Sequence, residues 1–204
     1  MSKEEFTADT GRVLNIVINS LYSDKDIFVR ELISNSSDAI DKRRFINLSE
    51  SNNKNSQVNH SIQLEISVKD NTLIFKDDGI GMDEADLKAS LGTIAKSGTT
   101  EFLEQLENAK KDDAKSMNLI GQFGVGFYSA FMVAEKVEVD TLKQGCKKSL
   151  RWVSDGSTGY EILDGEKEEI GTTITLFLKK SDKEFLKKEK ITEIVKKYSD
   201  HIQY

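Results

Sequence analysis

The chain has 204 residues, of which 37% are hydrophobic, and its 10 Phe and 5 Tyr supply enough apolar surface for a sizeable core, which excludes a globally disordered protein. A net charge of -6 and a pI near 5.1 make nucleic-acid binding a poor expectation. The single cysteine, Cys146, excludes an intrachain disulfide. The lack of an apolar leader or an 18-residue apolar run predicts a soluble, cytoplasmic protein without a membrane anchor.

The first half of the chain alternates between helical and strand periodicity. Apolar residues at a 3.6-residue period predict helices, whereas strict alternation of apolar and polar residues predicts strands. A stretch rich in Ser, Asn and Gln with no period predicts a loop. The predicted elements are helices at 10–21, 27–45 and 83–91, a polar loop at 49–60, and a β-hairpin of strands at 62–68 and 72–76.

The second half opens with a long polar segment and then returns to strands. Residues 91–121 are rich in Gly, Ser, Thr and Lys, with a helical piece at 101–106, and such surface excursions often form lids. The elements that follow are a helix at 127–133, strands at 137–142, 149–153, 160–163 and 172–178, and a terminal helix with apolar residues from Ile191 to Ile202. Helices at both ends with hairpins between predict an α+β fold, a two-layer sandwich of helices on a mostly antiparallel, twisted sheet.

The helix at 27–45 carries a polar stripe beside its apolar face. Glu31, Asn35 and Asp38 are spaced by four and three residues, so they share one side of the helix at the rim of the core. Glu31 and Asp38 lie roughly 10 Å apart along the axis at 1.5 Å per residue, about the length of a phosphate chain with its sugar. The pattern is also compatible with a solvated helix face.

A second motif follows the strand at 72–76. Asp77, Asp78, Gly79, Ile80, Gly81 and Met82 place a carboxylate at the strand end and two glycines directly after it. Glycine permits positive φ and close approach of the backbone to a ligand, and a carboxylate offers two acceptors to an amino group. An ordinary Asp-Gly turn is the alternative.

A glycine-rich run precedes the predicted helix at 127–133. Backbone N–H groups before a helix N-terminus favour an anion. The run lacks the Lys and Ser/Thr of a P-loop, because Phe127 and Tyr128 stand there, and it lacks the third glycine of a dinucleotide fingerprint, where Ser129 stands. Its members are Gly121, Gln122, Phe123, Gly124, Val125, Gly126 and Phe127.

Two weaker signals complete the candidate site. Lys96 lies among small and hydroxyl residues and could bind phosphate or be merely solvated. Gly171, Thr172 and Thr173 open a strand, where threonine is also an ordinary β-former.

Four motifs of this kind in this order are specific. Residues 31–39, 77–82, 91–99 and 120–129, with Gly171 and Thr172, resemble the N-terminal ATP-binding domain of the ninety-kilodalton heat-shock chaperones, most of all their bacterial branch. The resemblance covers nearly the whole chain and implies the GHKL-type ATPase fold, one nucleotide-binding domain over 1–204 and a lid at about 91–121. It also implies a longer protein, because family members continue into client-binding and dimerising domains.

The resemblance implies a role for each candidate residue. Glu31 is expected to be the general base, Asn35 to coordinate Mg²⁺, and Asp77 to bind the adenine amino group with Thr172 acting through water. The remaining expected ATP-binding residues are Asp38, Gly81, Met82, Lys96, Gly121, Gln122, Phe123, Gly124, Val125, Gly126 and Phe127. Ser90 stands where some relatives have an asparagine near the ribose, so contacts to the ribose stay open.

The expected function is a chaperone ATPase domain whose lid closes on ATP, with Mg²⁺ as the metal. Turnover is expected to be very slow in the isolated domain, because an arginine from the next domain is missing. Expected partners are client proteins through downstream domains and a second copy in the full-length homodimer, whereas the isolated domain is expected to be monomeric and to bind neither nucleic acid nor membrane. The alternatives are a DNA-processing ATPase of the same superfamily and a nucleotide sensor without significant turnover.

Overall fold

The computed structural model describes residues 24–50, 59–92, 126–157 and 159–204. Within these ranges, three α-helices and two 3-10 helices pack against one sheet. The helices are α1 (Ile27–Glu50), α2 (Glu84–Ser90) and α3 (Lys188–Tyr198), with 3-10 helices η1 (Gly126–Met132) and η2 (Lys180–Leu186). The strands are β1 (Ile62–Ser67), β2 (Thr72–Asp77), β3 (Ala134–Leu142), β4 (Leu150–Ser154), β5 (Tyr160–Asp164) and β6 (Gly171–Leu178).

The sheet has six strands in the order β1-β2-β6-β3-β4-β5, and every neighbouring pair is antiparallel. β6 lies between β2 and β3, so the chain returns late to complete the middle of the sheet. Buried and half-buried residues alternate along β6, as expected for a strand with one face on a core. The predicted α+β fold is therefore confirmed.

The apolar face of α1 covers the sheet. Phe28 and Leu32 are fully buried, and the Phe28 ring meets Phe75 and Phe185 edge-on, at centroid distances of 6.3 and 5.1 Å. Burying each such side chain contributes about 1.5–3 kcal/mol. α1 runs to Glu50 rather than ending at residue 45, because residues 46–50 include neither glycine nor proline to stop it.

Three local predictions differ from the structure, two at the boundary of an element and one in the type of helix. Val68 was expected in the first strand but is 71% exposed, because Ser67 already pairs with Thr72 and residues 68–71 form the turn. The helix predicted at 127–133 is the 3-10 helix η1, all seven of whose residues are buried. Ile202 packs on the core from beyond the end of α3.

Some predicted elements lie outside the described residues, namely the helices at 10–21 and 101–106 and most of the lid segment at 91–121. Helix η2 has no counterpart among the predictions, because its charged sequence shows no helical period. None of the helices in the described ranges is both long and apolar enough to cross a membrane.

Candidate active site

A cavity of about 920 Å³ opens between α1 and the sheet. Its walls come from α1, the loop after β2, α2, η1, β3 and β6, so elements from all parts of the described chain meet there. The predicted site residues that line it are Asn35, Asp38, Asp77, Gly81, Met82, Phe127 and Thr172. Lys96 and the run from Gly121 to Val125 lie outside the described residues.

Asp77 forms the polar floor of the cavity. Its side chain accepts hydrogen bonds from the Ser36 hydroxyl at 3.1 Å and from the Gly79 backbone N–H at 2.9 Å. The residue is only 7% exposed, and burial raises the pKa of its carboxyl to about 6, although the N–H groups of Gly79 and Thr172 and the Ser36 hydroxyl oppose this shift. The carboxylate is therefore a buried acceptor held in a fixed orientation at the cavity wall.

Ser36 is a site residue that the sequence analysis missed. On a helical wheel at 100° per residue it falls in the middle of the apolar arc of α1, between Leu32 and Val29. It is 2% exposed. A hydroxyl at the centre of an apolar face needs a buried partner, and that requirement was the signal available in the sequence.

The glycines after β2 serve the packing of the loop. Gly81 has φ 71°, and a Cβ there would lie 2.1 Å from the Leu142 carbonyl oxygen. Gly79 keeps a negative φ, contrary to the prediction, and its hydrogen faces Ala39, whose Cβ would be 2.6 Å from an added Cβ. The close approaches at these two glycines are thus to β3 and α1.

Thr141 fixes the same loop from the neighbouring strand. Its Oγ1 accepts from the Met82 backbone N–H at 2.9 Å and lies 3.2 Å from both the Gly171 carbonyl and the Thr172 hydroxyl. This fully buried hydroxyl joins the cavity wall at Met82 to the start of β6. No sequence pattern predicted this role of Thr141, because the contact depends on which strands become neighbours in the sheet.

Glu31 lies one helical turn from Asn35, against η1. Its carboxylate is 8% exposed and pairs with Arg30, whose Nη2 is 3.1 Å from Oε1. Burial raises the pKa of Glu31, and the Arg30 charge and hydrogen bond oppose that rise. A Cβ on Gly126 would lie only 2.2 Å from Glu31 Oε2, so the glycine is required for the close contact between η1 and this carboxylate.

Asn35 and Asp38 complete the stripe at the rim. Both are exposed, in contrast to Glu31, and both line the cavity. Helix α1 therefore places the three residues on one side, with the oxygen acceptors of Asn35 and Asp38 in the lining of the cavity and the buried Glu31 outside it, and their role in binding stays a prediction. Such oxygen atoms can accept hydrogen bonds from a polar ligand whose other end reaches Asp77, or hold a cation that accompanies an anionic ligand.

The opposite rim is held by Lys143. Its Nζ lies 2.6 Å from Asp83 and 2.7 Å from Asp86, the two residues of the capping box at the start of α2. These charges surround the cavity mouth, and hydrogen bonds to both carboxylates raise the pKa of Lys143. At the far end of α2, the Tyr128 hydroxyl donates to the Leu91 carbonyl at 2.8 Å, which ties η1 to the same rim.

The family described as "Histidine kinase-, DNA gyrase B-, and HSP90-like ATPase" matches residues 22–182. The protein named Chaperone protein HtpG from Borreliella burgdorferi is 54% identical over 202 residues, 99% of this chain and 32% of that protein. Proteins of the same name from Wolinella succinogenes and Helicobacter pylori are 48% and 50% identical over 204 and 206 residues, covering all of this chain. The chain spans about one third of the length of these curated relatives, 32% and 33% in the last two cases.

Proposed function

The chain belongs to the family of histidine kinase-, DNA gyrase B- and HSP90-like ATPases, and from that membership we propose that it binds and hydrolyses ATP as one domain of a molecular chaperone that assists protein folding. The identity of 48–54% to HtpG proteins along the whole chain supports the chaperone assignment over a DNA-processing ATPase. The observation that carries the proposal is the cavity with the buried acceptor Asp77 at its floor and Asn35 and Asp38 along one wall, with Glu31 one helical turn beyond Asn35.

The base of ATP occupies the floor of the cavity. Asp77 accepts a hydrogen bond from the adenine amino group, and Thr172, opposite Asp77 in the β2–β6 register, assists through water. Gly81 and Met82 line the pocket around the ring. Because Gly79 and Ser36 already bind the Asp77 carboxylate, it is oriented before the base arrives.

The phosphates extend along α1 toward Glu31. Lys96 and the run from Gly121 to Phe127 hold them, and the segment 91–121 closes over them as a lid. The residues at the rim also fit Mg²⁺, because Asn35 offers an exposed amide oxygen and this ion usually combines one or two protein oxygens with phosphate oxygens and waters. Mg²⁺ held there would neutralise charge on the phosphates.

Glu31 is the general base. Its carboxylate removes a proton from the water that attacks the γ-phosphate, and its raised pKa makes it a better proton acceptor than an exposed carboxylate. Gly126 packs on the carboxylate, while Arg30 pairs with one of its oxygens. These contacts limit the orientations that the base can adopt.

Assayed on their own, the 204 residues hydrolyse ATP very slowly, because an arginine that a following domain would supply is not present in such an assay. Arginines supplied in trans contribute on the order of 10³–10⁵ in rate in other phosphoryl-transfer enzymes. The whole protein acts in the cytoplasm as a homodimer that binds clients through its downstream domains. This isolated domain is monomeric and binds neither nucleic acid nor membrane.

Calorimetry with ATP and ADP, with and without Mg²⁺, tests the proposal. The expected result is one nucleotide per chain, with ATP affinity strengthened by Mg²⁺ and lost in Asp77→Asn. Hydrogen exchange measured in parallel is expected to show residues 91–121 becoming protected when ATP binds. Absence of nucleotide binding, or retention of the chain on DNA in a salt-dependent manner, would contradict the assignment.

A further inference from the structure

We propose that Lys179 is a positioning residue of the hydrolytic site: it fixes the C-terminal end of η1 and thereby the contact between Gly126 and Glu31. The inference rests on the proposed function, in which Glu31 is the general base. Lys179 does not line the cavity, and it follows β6 in the connection to η2. Its effect on the reaction is therefore exerted through η1.

Lys179 binds the last two carbonyl groups of η1 and the carbonyl of the residue that follows it. Its Nζ donates to the Phe131 carbonyl at 2.7 Å and to the Met132 carbonyl at 3.1 Å, and its backbone N–H donates to the Val133 carbonyl at 2.8 Å. The last carbonyls of a helix have no partner within the helix, and a cation there also matches the helix dipole. One side chain thus binds the last two carbonyl groups of η1.

The ammonium group of Lys179 donates its hydrogen bonds to these carbonyl groups. The buried carboxylate of Asp182, in η2, is bound instead by Lys25. Partial burial lowers the pKa of Lys179, as expected for an ammonium group that has exchanged water for peptide carbonyls. A lysine in this environment stabilises one position of the backbone that it caps.

Helix η1 transmits that position to the active site. All seven of its residues are buried, so it cannot slide without moving its neighbours. Gly126 stands at its other end, where an added Cβ would be 2.2 Å from Glu31 Oε2. A displacement of η1 therefore moves the backbone against which the Glu31 carboxylate packs.

The test compares Lys179→Met with Lys179→Arg and with Lys180→Met, the adjacent exposed lysine. Single-turnover hydrolysis is measured with the chain in excess over ATP, and ADP affinity is measured by calorimetry. Lys179→Met is expected to lower the hydrolysis rate constant by about 10- to 100-fold, the scale of a small misplacement of a catalytic group, with ADP affinity unchanged within a few-fold. Lys179→Arg, which can donate to two carbonyls, and Lys180→Met are expected to keep the wild-type rate.

A spectroscopic readout accompanies the kinetics. Trp152 is the only tryptophan, and its ring lies 5.6 Å from that of Phe127 in η1, so its fluorescence reports on the position of this helix. The emission is expected to change in Lys179→Met and to stay unchanged in Lys180→Met. Should Lys179→Met fail to fold, Lys179→Gln replaces it, with a single short donor and the same expected fall in rate.

A wild-type rate of hydrolysis in Lys179→Met, or a loss of ADP affinity in that chain as large as its loss in rate, overturns the inference. A wild-type chain whose hydrolysis does not depend on Glu31 would instead overturn the proposed function. The two failures are thus distinguishable in one set of assays.

Discussion

Replacing Asp77 by Asn separates the contribution of this carboxylate to ATP affinity from its contribution to the stability of the fold. The Gly79 N–H can only donate, so the amide oxygen of the new side chain must face it and the NH₂ group must turn toward Ser36 and the cavity. A donor then faces the adenine amino group, itself a donor. Two buried groups are left unpaired at about 1–3 kcal/mol each, which corresponds to a loss of ATP affinity of about 30-fold or more at 1.4 kcal/mol per factor of ten.

The same substitution should not lower stability at pH 7. The pKa of Asp77 is raised from 3.8 to about 6, so the folded protein at pH 7 carries the cost of a buried charge, at most about 3 kcal/mol. In the pH range between these values the folded state binds more protons than the unfolded state, so stability falls as pH rises from about 4 to 6. Asn is neutral and removes this dependence.

Calorimetry and thermal melts at pH 7 measure the two effects together. Asp77→Asn is expected to lose detectable ATP and ADP binding while melting no lower than the wild type. Asp78→Asn, at the next and more exposed position, is the matched control and should bind normally. Normal ATP binding by Asp77→Asn would refute the assignment of Asp77 as the acceptor for the base.

Three further predictions concern the neighbouring residues. Gly126→Ala should leave ATP affinity unchanged but lower hydrolysis at least about tenfold, because its methyl group would lie 2.2 Å from Glu31 Oε2, and single-turnover assays measure both. The ATP affinity of the wild type should weaken by at most about tenfold per pH unit as pH falls below about 6, because Asp77 takes up a proton there. Calorimetry from pH 5 to 8 measures this slope, and its absence would contradict the reasoning. Gly81→Ala should lower the free energy of unfolding, measured by urea titration, by more than about 2 kcal/mol, because φ is 71° and the Leu142 carbonyl would be 2.1 Å from the added Cβ. Gly145→Ala is the control: its φ is 83° but the space around it is open, so the same titration should show only the conformational penalty of about 1–2 kcal/mol.

Periodicity in the sequence was sufficient to predict the α+β architecture. Alternation in β1 and β2 and the helical period in α1 reflect burial on one face, which is a local property of the sequence. The conformation of η1 was not predictable in this way, because an apolar stretch of seven residues has the same pattern as an α-helix or a 3-10 helix. Its conformation depends on contacts with α1 and the chain around Lys179.

The placement of candidate residues was predictable where they share one element. That Glu31, Asn35 and Asp38 lie on one side of α1 follows from helical spacing alone. Thr141 and Lys143 were missed because their partners lie about 60 residues away in the chain, at Met82 and in the capping box of α2. Long-range pairing of this kind follows from the order of strands in the sheet, which no local pattern encodes.

The central claim is that Glu31 acts on the attacking water and Asp77 on the base. Single-turnover hydrolysis by Glu31→Ala, with ATP affinity measured on the same sample, tests it most directly. The substitution leaves Arg30 unpaired, but its side chain is 33% exposed and water can solvate it, so the chain should fold. Affinity is expected to stay within a few-fold of wild type while hydrolysis falls by roughly 10²–10⁴, the range for loss of a general base. Undiminished hydrolysis, or loss of ATP binding along with it, would contradict the role of Glu31.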